Sequence, residues 1–237
     1  MKRITVLLSC MTILLASAKA TEKASDAATT RPVLKPAIVA ASEWGSTPDP
    51  IADERKHTPK FITIHHAGVL WTNKTTPPTM IKNMQSWGKK EKKWPDVPYH
   101  FLIGPDGTIY EGRSLVYEPD TNTRYEVSGH IGVELMGNFE EQRMSEGQLN
   151  SLVNITAWLA QEYDIDPAHI GGHNDAAPGQ TTCPGKDLYR YIKDGTIAKW
   201  TTAMREGKEP EIVYREPLPG GPTEVITLNA PTSQPAK

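Results

Sequence analysis

Two residues with strong metal-ligating side chains, His173 and Cys183, stand ten positions apart in the segment 170–186. The segment is rich in glycine and proline, and Pro184 and Gly185 directly follow the cysteine. An imidazole nitrogen and a thiolate at the two ends of a stiffened loop are ligand types that zinc prefers. The pair by itself is equally compatible with a surface histidine and a buried, inert cysteine, so the rest of the chain has to distinguish these interpretations.

A further source of imidazole is the tandem pair His65 and His66, which ends the β-branched run 61–65. The run predicts a short buried strand. Because successive side chains of a strand point to opposite faces of the sheet, only one histidine of the pair can serve a given site. The other histidine is expected to pack or to hydrogen bond behind that site.

Glu134 is a carboxylate inside the apolar run 131–136, which predicts another strand. A charged residue in such a strand is unusual unless it has a partner or a task. Tyr99 begins a further predicted strand, 99–103, which a Gly-Pro-Asp-Gly turn joins to a hairpin partner at 108–110.

The remaining elements place these residues in one fold. Helices are predicted from a Thr79 cap through 90, from the capping box at 145–148 to about 163, and from about 186 onward. A short strand around Ile170 delivers His173. Strands and helices interleave, which predicts an α/β fold, a single domain with a central mixed β-sheet flanked by helices.

Composition divides the chain into four parts: a signal peptide (1–20), a flexible leader (21–37), a folded domain (38–204) and a Pro-rich tail (205–237). The tail's prolines forbid helix, leave 224–228 as its only candidate strand and predict an extended segment laid over the domain. The signal has a basic start, an apolar run over 4–15 that is too short to span a bilayer, and an Ala-Lys-Ala cleavage site. It predicts export to the periplasm or the medium, with lipidation at Cys10 as the alternative.

Loss of residues 1–20 would leave Cys183 as the only cysteine. A lone thiol in an oxidising compartment cannot form an internal disulfide, and metal coordination would occupy it. The net charge would change from −2 to −5, since the signal holds three basic residues and no acid. This balance predicts no nucleic-acid partner and no attraction to anionic membranes. We expect a monomer without a stable membrane span.

Several motifs in order carry a family resemblance: 38–45, 64–66 (Ile-His-His), 99–107, 109–113, 131–139, 172–173 (Gly-His) and 183–185 (Cys-Pro-Gly). With them the chain resembles the zinc-dependent N-acetylmuramoyl-L-alanine amidases of type 2, which include phage lysozyme-type amidases and peptidoglycan recognition proteins. The resemblance covers most of residues 38–192 and implies the fold of the recognition proteins. It also implies a Zn²⁺ site made by His65, His173 and Cys183, with the fourth position open as catalytic zinc requires.

The resemblance assigns catalytic roles to three further residues. Glu134 matches a carboxylate general base of one branch, and Tyr99 matches a catalytic tyrosine of another, here expected to donate to the developing oxyanion. A salt-bridged strand glutamate and a hydroxyl-capped core tyrosine are the structural alternatives. Thr181 falls where many bacterial members have a lysine that stabilises the transition state, whereas recognition-protein amidases tolerate threonine.

The segment 116–130 departs from the family pattern, because it lacks the usual Gly-x-His segment and asparagine. It borders the substrate groove in the family, so substrate preference cannot be carried over. The expected function is an exported amidase that cleaves between N-acetylmuramic acid and L-alanine of peptidoglycan or a muropeptide. The alternatives are a non-catalytic peptidoglycan-binding module, although binding-only relatives usually lose the cysteine, and a zinc peptidase acting on the stem peptide.

Overall fold

A mixed β-sheet lies at the centre of the protein, whose computed structural model describes residues 32–228. Within these residues the strands are β1 (Ile38–Val39), β2 (Phe61–His66), β3 (Phe101–Ile103), β4 (Ile109–Glu111), β5 (His130–Leu135) and β6 (Ile170–Gly172). Their order in the sheet is β1-β4-β3-β5-β2-β6. The hairpin pair β3 and β4 is antiparallel, and the other neighbours run parallel.

Helices flank this sheet, which confirms the predicted α/β class and the single domain. They are α1 (Pro77–Trp87), α2 (Glu146–Glu162), α3 (His173–Ala176), α4 (Lys186–Lys193) and α5 (Thr196–Arg205). Helix α5 packs on α2 and α4, and α4 packs against β6. Between residues 32 and 228, none of the helices combines the length and the apolar character needed to cross a membrane.

The start of α1 corrects the sequence prediction, since the N-cap is Thr76 and not Thr79. The Thr76 hydroxyl accepts a hydrogen bond from the Thr79 amide at 3.3 Å. Pro77 fits the first turn because its missing N–H would have no partner there in any case. After Trp87 the chain continues in a single π-helical turn, Gly88–Lys92.

Other boundaries shift less. The capping box of α2 is present as predicted, with Ser145 accepting from the Gln148 amide. The strand predicted from 99 begins at Phe101, and the segment 224–228 makes only one isolated bridge, between Val225 and Arg143.

The two faces of the sheet differ: one is apolar and packs in the core, and the other carries polar side chains. Ile62 and Ile64 on β2 stand beside Ile131 and Val133 on β5. This face packs under α2, where Phe101 meets the edge of Trp158 at 6.2 Å between ring centroids. The alternate side chains of the same strands, which include Thr63, His65 and Glu134, point to the opposite face.

The leader and the tail both contact the domain. Gln161 of α2 exchanges two hydrogen bonds with the backbone of Val33, so the last part of the predicted leader lies on α2. The tail runs extended, and its Ile226 is only 2% exposed. The indole N–H of Trp71 donates to the carbonyl of Thr227 at 3.0 Å. The predicted signal peptide and the first residues of the leader lie outside the described residues.

Candidate metal centre

The side chains of His65, His173 and Cys183 converge on one point. Their ligand atoms all lie within 4.8 Å of one another, and all three residues are buried. The Cys183 sulfur is 3.7 Å from Nδ1 of His65, and the two imidazole centroids are 4.5 Å apart. The structure therefore brings together the three residues that the sequence nominated as metal ligands.

Parallel strands explain this convergence. His65 lies at the carboxyl end of β2, and His173 directly follows β6, which pairs with β2 in parallel. The carboxyl ends of neighbouring parallel strands meet at one edge of a sheet, where ligand sites of open α/β sheets form. Gly185 lets the cysteine turn approach that edge: its φ is +87°, and a Cβ there would meet the backbone of Phe139 at 2.5 Å.

Backbone hydrogen bonds hold the cysteine turn in place. The amide of Asn174, beside His173, donates to the Cys183 carbonyl at 2.8 Å. Thr181 uses its hydroxyl to accept from the Cys183 amide at 3.0 Å. Thr181 thus shapes the turn that carries the thiol, and it brings no positive charge to the centre.

His66 points away from the cluster, as strand alternation requires. Its Nδ1 accepts from the Phe139 amide at 3.2 Å. Its own backbone N–H donates to the Cys183 sulfur at 3.3 Å. His66 therefore supports the thiol through its backbone without joining the three ligand atoms.

Burial sets the protonation of the three ligands. Desolvation, aided by the neighbouring histidines, holds the pKa of His65 well below its usual value, and burial lowers the pKa of His173 to about 4. Both imidazoles are then neutral with a free lone pair. Burial raises the pKa of the Cys183 thiol to about 12, so a bound cation would have to displace its proton. After loss of that proton, the site offers two imidazole nitrogens and one thiolate, a donor set that fits zinc.

Glu134 lies on the same face, in register with His65 on the neighbouring strand. It is fully buried, and neither carboxylate oxygen has a hydrogen-bond partner among the described residues. A buried polar group without a partner is costly. Burial raises its pKa to about 8. Nothing in residues 32–228 forms the salt bridge that a merely structural strand glutamate would need.

Tyr99 completes the predicted set. Its ring lies tilted against His65 at 4.9 Å between centroids. Burial, together with nearby Cys183 and Glu134, raises the pKa of its hydroxyl well above the usual value. The hydroxyl therefore remains protonated at neutral pH.

Three residues of the 116–130 segment that sequence reasoning missed also reach the centre. Oγ1 of Thr123 lies 2.6 Å from Nε2 of His173, and Oγ1 of Thr121 lies 3.3 Å from the same nitrogen. The ring of Tyr125 lies 5.6 Å from that of His173. The engaged Nε2 leaves Nδ1 of His173 available to a metal.

One buried and one half-buried arginine fix the start of that segment. Arg113, 1% exposed, pairs with the Asp120 carboxylate and donates to the Glu118 carbonyl. Arg55 pairs with the same two acidic residues. These contacts set the path of the chain toward His173.

A groove of about 410 Å³ opens beside Tyr99. Its lining side chains carry no charge: Ala67, Val69, Met80, Asn83, Met84, Trp87, Trp94, Pro98, Tyr99 and Asn122. Trp87 is 46% exposed and meets Trp94 edge to face at 5.8 Å. The groove can take a ligand with apolar faces beside Tyr99, whose ring in turn contacts His65.

Comparison with known proteins identifies the family. Residues 55–186 match the family described as N-acetylmuramoyl-L-alanine amidase. Peptidoglycan recognition protein 1 of Mus musculus is 30% identical over 163 residues, which cover 66% of this chain and 86% of the relative.

Two solved structures share the fold. Drosophila peptidoglycan recognition protein SD superposes with a TM-score of 0.59 at 26% identity, covering 67% of this chain and 94% of that one. The N-acetylmuramoyl-L-alanine amidase LysC of Clostridium intestinale gives 0.56 at 26% identity, covering 68% and 98%. With its matching segment, its sheet and its cluster of two histidines and a cysteine, the chain belongs to the type 2 N-acetylmuramoyl-L-alanine amidase and peptidoglycan recognition protein family.

Proposed function

We propose that this protein is a zinc-dependent amidase that hydrolyses the bond between the lactyl group of N-acetylmuramic acid and L-alanine in peptidoglycan. The observation that carries the proposal is Glu134, a buried carboxylate without a described partner on the same sheet face as the metal cluster. A binding module has no need for such a costly group, whereas a hydrolase needs a base.

The proposed ligands are His65, His173 and Cys183. Zinc held by them would supply a Lewis acid next to the amide carbonyl and lower the pKa of a bound water to about 7. The positive charge of the zinc would favour the ionised form of Glu134, and Glu134 takes a proton from the attacking water. The water oxygen bonds to the carbonyl carbon, and Tyr99 donates a hydrogen bond to the carbonyl oxygen as negative charge develops on it.

Collapse of this adduct breaks the C–N bond. Glu134 returns its proton to the departing nitrogen, which leaves as the amino group of L-alanine. The other product is the lactyl carboxylate of the sugar. One water is consumed and no other reactant is required.

The groove beside Tyr99 supports a muropeptide or peptidoglycan as the partner. Its uncharged walls suit the apolar faces of a sugar and its N-acetyl and lactyl methyl groups better than the carboxylates of a stem peptide. The predicted signal peptide supports action outside the cytoplasm, in the periplasm or the medium.

Digestion of purified peptidoglycan tests the proposal. The zinc-loaded protein should release new L-alanine amino termini, and Glu134→Gln and Cys183→Ala should abolish the release. Product masses separate an amidase from a stem-peptide peptidase, because a peptidase would leave the lactyl amide intact. Absence of new amino termini after digestion with the zinc-loaded protein would contradict the proposal.

The second candidate is a peptidoglycan-binding module without catalysis. Thr181 favours this candidate, because a neutral side chain at this position cannot supply the positive charge that would stabilise a transition state. Its signature would be sedimentation with insoluble peptidoglycan that Cys183→Ala leaves unchanged, together with no hydrolysis by the wild type.

A further inference from the structure

The hydroxyl group of Tyr125 makes no hydrogen bond within the described residues. Its oxygen is also buried. Burying a hydroxyl without a partner costs stability, so a phenylalanine would suit the free protein at least as well. The hydroxyl therefore calls for a partner that arrives from outside the chain.

The position of Tyr125 says where that partner would lie. Its ring lies 5.6 Å from His173 and meets the edge of His130 at 5.2 Å. Burial, and after it the nearby Cys183, raises the pKa of its hydroxyl. The ring of Tyr125 thus lies beside the metal cluster, next to His173 and on the side of the 116–130 segment.

The backbone on the amino-terminal side of Tyr125 is held firmly. The amide of Arg124 donates to the side chain of Gln180 at 2.8 Å, and the Gln180 amide returns a hydrogen bond to the Arg124 carbonyl at 3.0 Å. Thr123 contacts His173. A donor fixed in this way pays no reorganisation when negative charge develops near it.

We propose that Tyr125 is a further catalytic residue, whose hydroxyl donates a hydrogen bond to the carbonyl oxygen of the scissile amide. This inference rests on the proposed amidase function. Tyr125 would then stabilise part of the negative charge that develops on this carbonyl oxygen. Thr181 does not provide that stabilisation, because it is neutral and its hydroxyl accepts from the Cys183 amide.

The test compares Tyr125→Phe with Tyr117→Phe, a half-buried tyrosine of the same segment that does not reach the cluster. Turnover of peptidoglycan by the zinc-loaded proteins is one measurement. Binding of a soluble N-acetylmuramoyl-tripeptide to the zinc-free proteins is a second. Zinc affinity and the urea midpoint of unfolding are the third and fourth.

For Tyr125→Phe we expect kcat to fall by about 100- to 1,000-fold, as for removal of one oxyanion donor. Binding of the tripeptide should weaken about 3- to 10-fold, in keeping with one lost hydrogen bond. Zinc affinity should not change, and the unfolding midpoint should not fall. Tyr117→Phe should match the wild type in all four measurements.

Unchanged kcat and unchanged tripeptide binding in Tyr125→Phe would overturn the inference while the amidase function stands. Loss of zinc affinity or stability together with activity would also overturn it, because Tyr125 would then hold the site without touching the substrate. A wild type that releases no amino termini would overturn the amidase function itself, and the catalytic role with it.

Discussion

Glu134 of β5 stands directly opposite His65 of β2, in the register that joins the two parallel strands. Both side chains leave the same face of the sheet near its carboxyl edge. The distance between the candidate base and the first candidate ligand is therefore set by strand pairing. A slip of one residue would turn Glu134 into the apolar core, so the register and the site depend on each other.

Strand alternation makes a sharp prediction for the tandem histidines. His65→Ala should lose zinc on dialysis, because one of the three proposed ligands disappears. His66→Ala should retain most of its zinc, since only its backbone touches the Cys183 sulfur. Metal content by elemental analysis after dialysis checks both. Zinc loss in His66→Ala alone would mean that the ligand set is wrong.

Thr123 should tune the metal through His173. Its Oγ1 lies 2.6 Å from Nε2 and orients the ring. Removal of such an outer contact typically weakens metal binding by about 10- to 100-fold. We expect Thr123→Val to weaken zinc binding in this range when measured by competition with a chromophoric chelator.

Two matched variants control that measurement. Thr123→Ser keeps the hydroxyl and should restore most of the affinity. Thr121→Val removes the longer contact of 3.3 Å and should cost less. Equal affinities in all of these variants would show that His173 needs no support from the segment.

The proximity of His65, His173 and Cys183 could be predicted from sequence. Strand alternation indicates that only one of His65 and His66 can join the site, and the family resemblance selects His65. Cys183 stands out through its Gly- and Pro-bounded turn. Thr123 and Tyr125 could not be predicted in the same way. Their approach to His173 depends on the buried Arg113 and its ion pair with Asp120, and neither residue type signals such a contact in sequence.

The predicted start of helix α1 was also wrong, and the reason is local. Helix α1 begins three residues earlier than a Thr79 cap would place it, because Pro77 and Pro78 fit its first turn and Thr76 caps it. The prolines of the tail predict an extended segment laid over the domain. They do not predict the burial of Ile226, since one isoleucine in a Pro-rich segment does not reveal what it packs against.

Glu134 predicts a pH dependence of the metal-free protein. Its pKa in the fold is about 8, against an ordinary value of 4.5 that the unfolded chain should have. Between these values the unfolded state releases a proton that the folded state keeps. The contribution of Glu134 to stability is therefore complete below about pH 4.5 and is lost as pH rises toward 8, by at most about 1.4 kcal/mol per pH unit.

Urea unfolding of the chelator-treated wild type and Glu134→Gln at pH 5, 6, 7 and 8 measures this effect. The buried histidines, with lowered pKa values, oppose it at acidic pH in both proteins, so the difference between the two isolates Glu134. We expect the stability of the wild type relative to Glu134→Gln to fall steadily with pH. A difference that does not vary with pH would show that the carboxylate is ionised in the fold.

The tail should contribute to stability through one side chain. Ile226 is 2% exposed, its backbone N–H donates to the carbonyl of Arg143 at 3.0 Å, and a Cβ on Gly137 would come within 3.3 Å of its side chain. Truncation of a buried isoleucine to alanine costs about 2–5 kcal/mol. Ile226→Ala should therefore lower the free energy of unfolding by about 2 kcal/mol in urea titrations, because a terminal segment adjusts more easily than a central strand.

Val225→Ala, at a position that is 38% exposed, is the matched control and should cost less than about 0.5 kcal/mol. Equal, small costs at both positions would mean that the tail leaves the domain in solution.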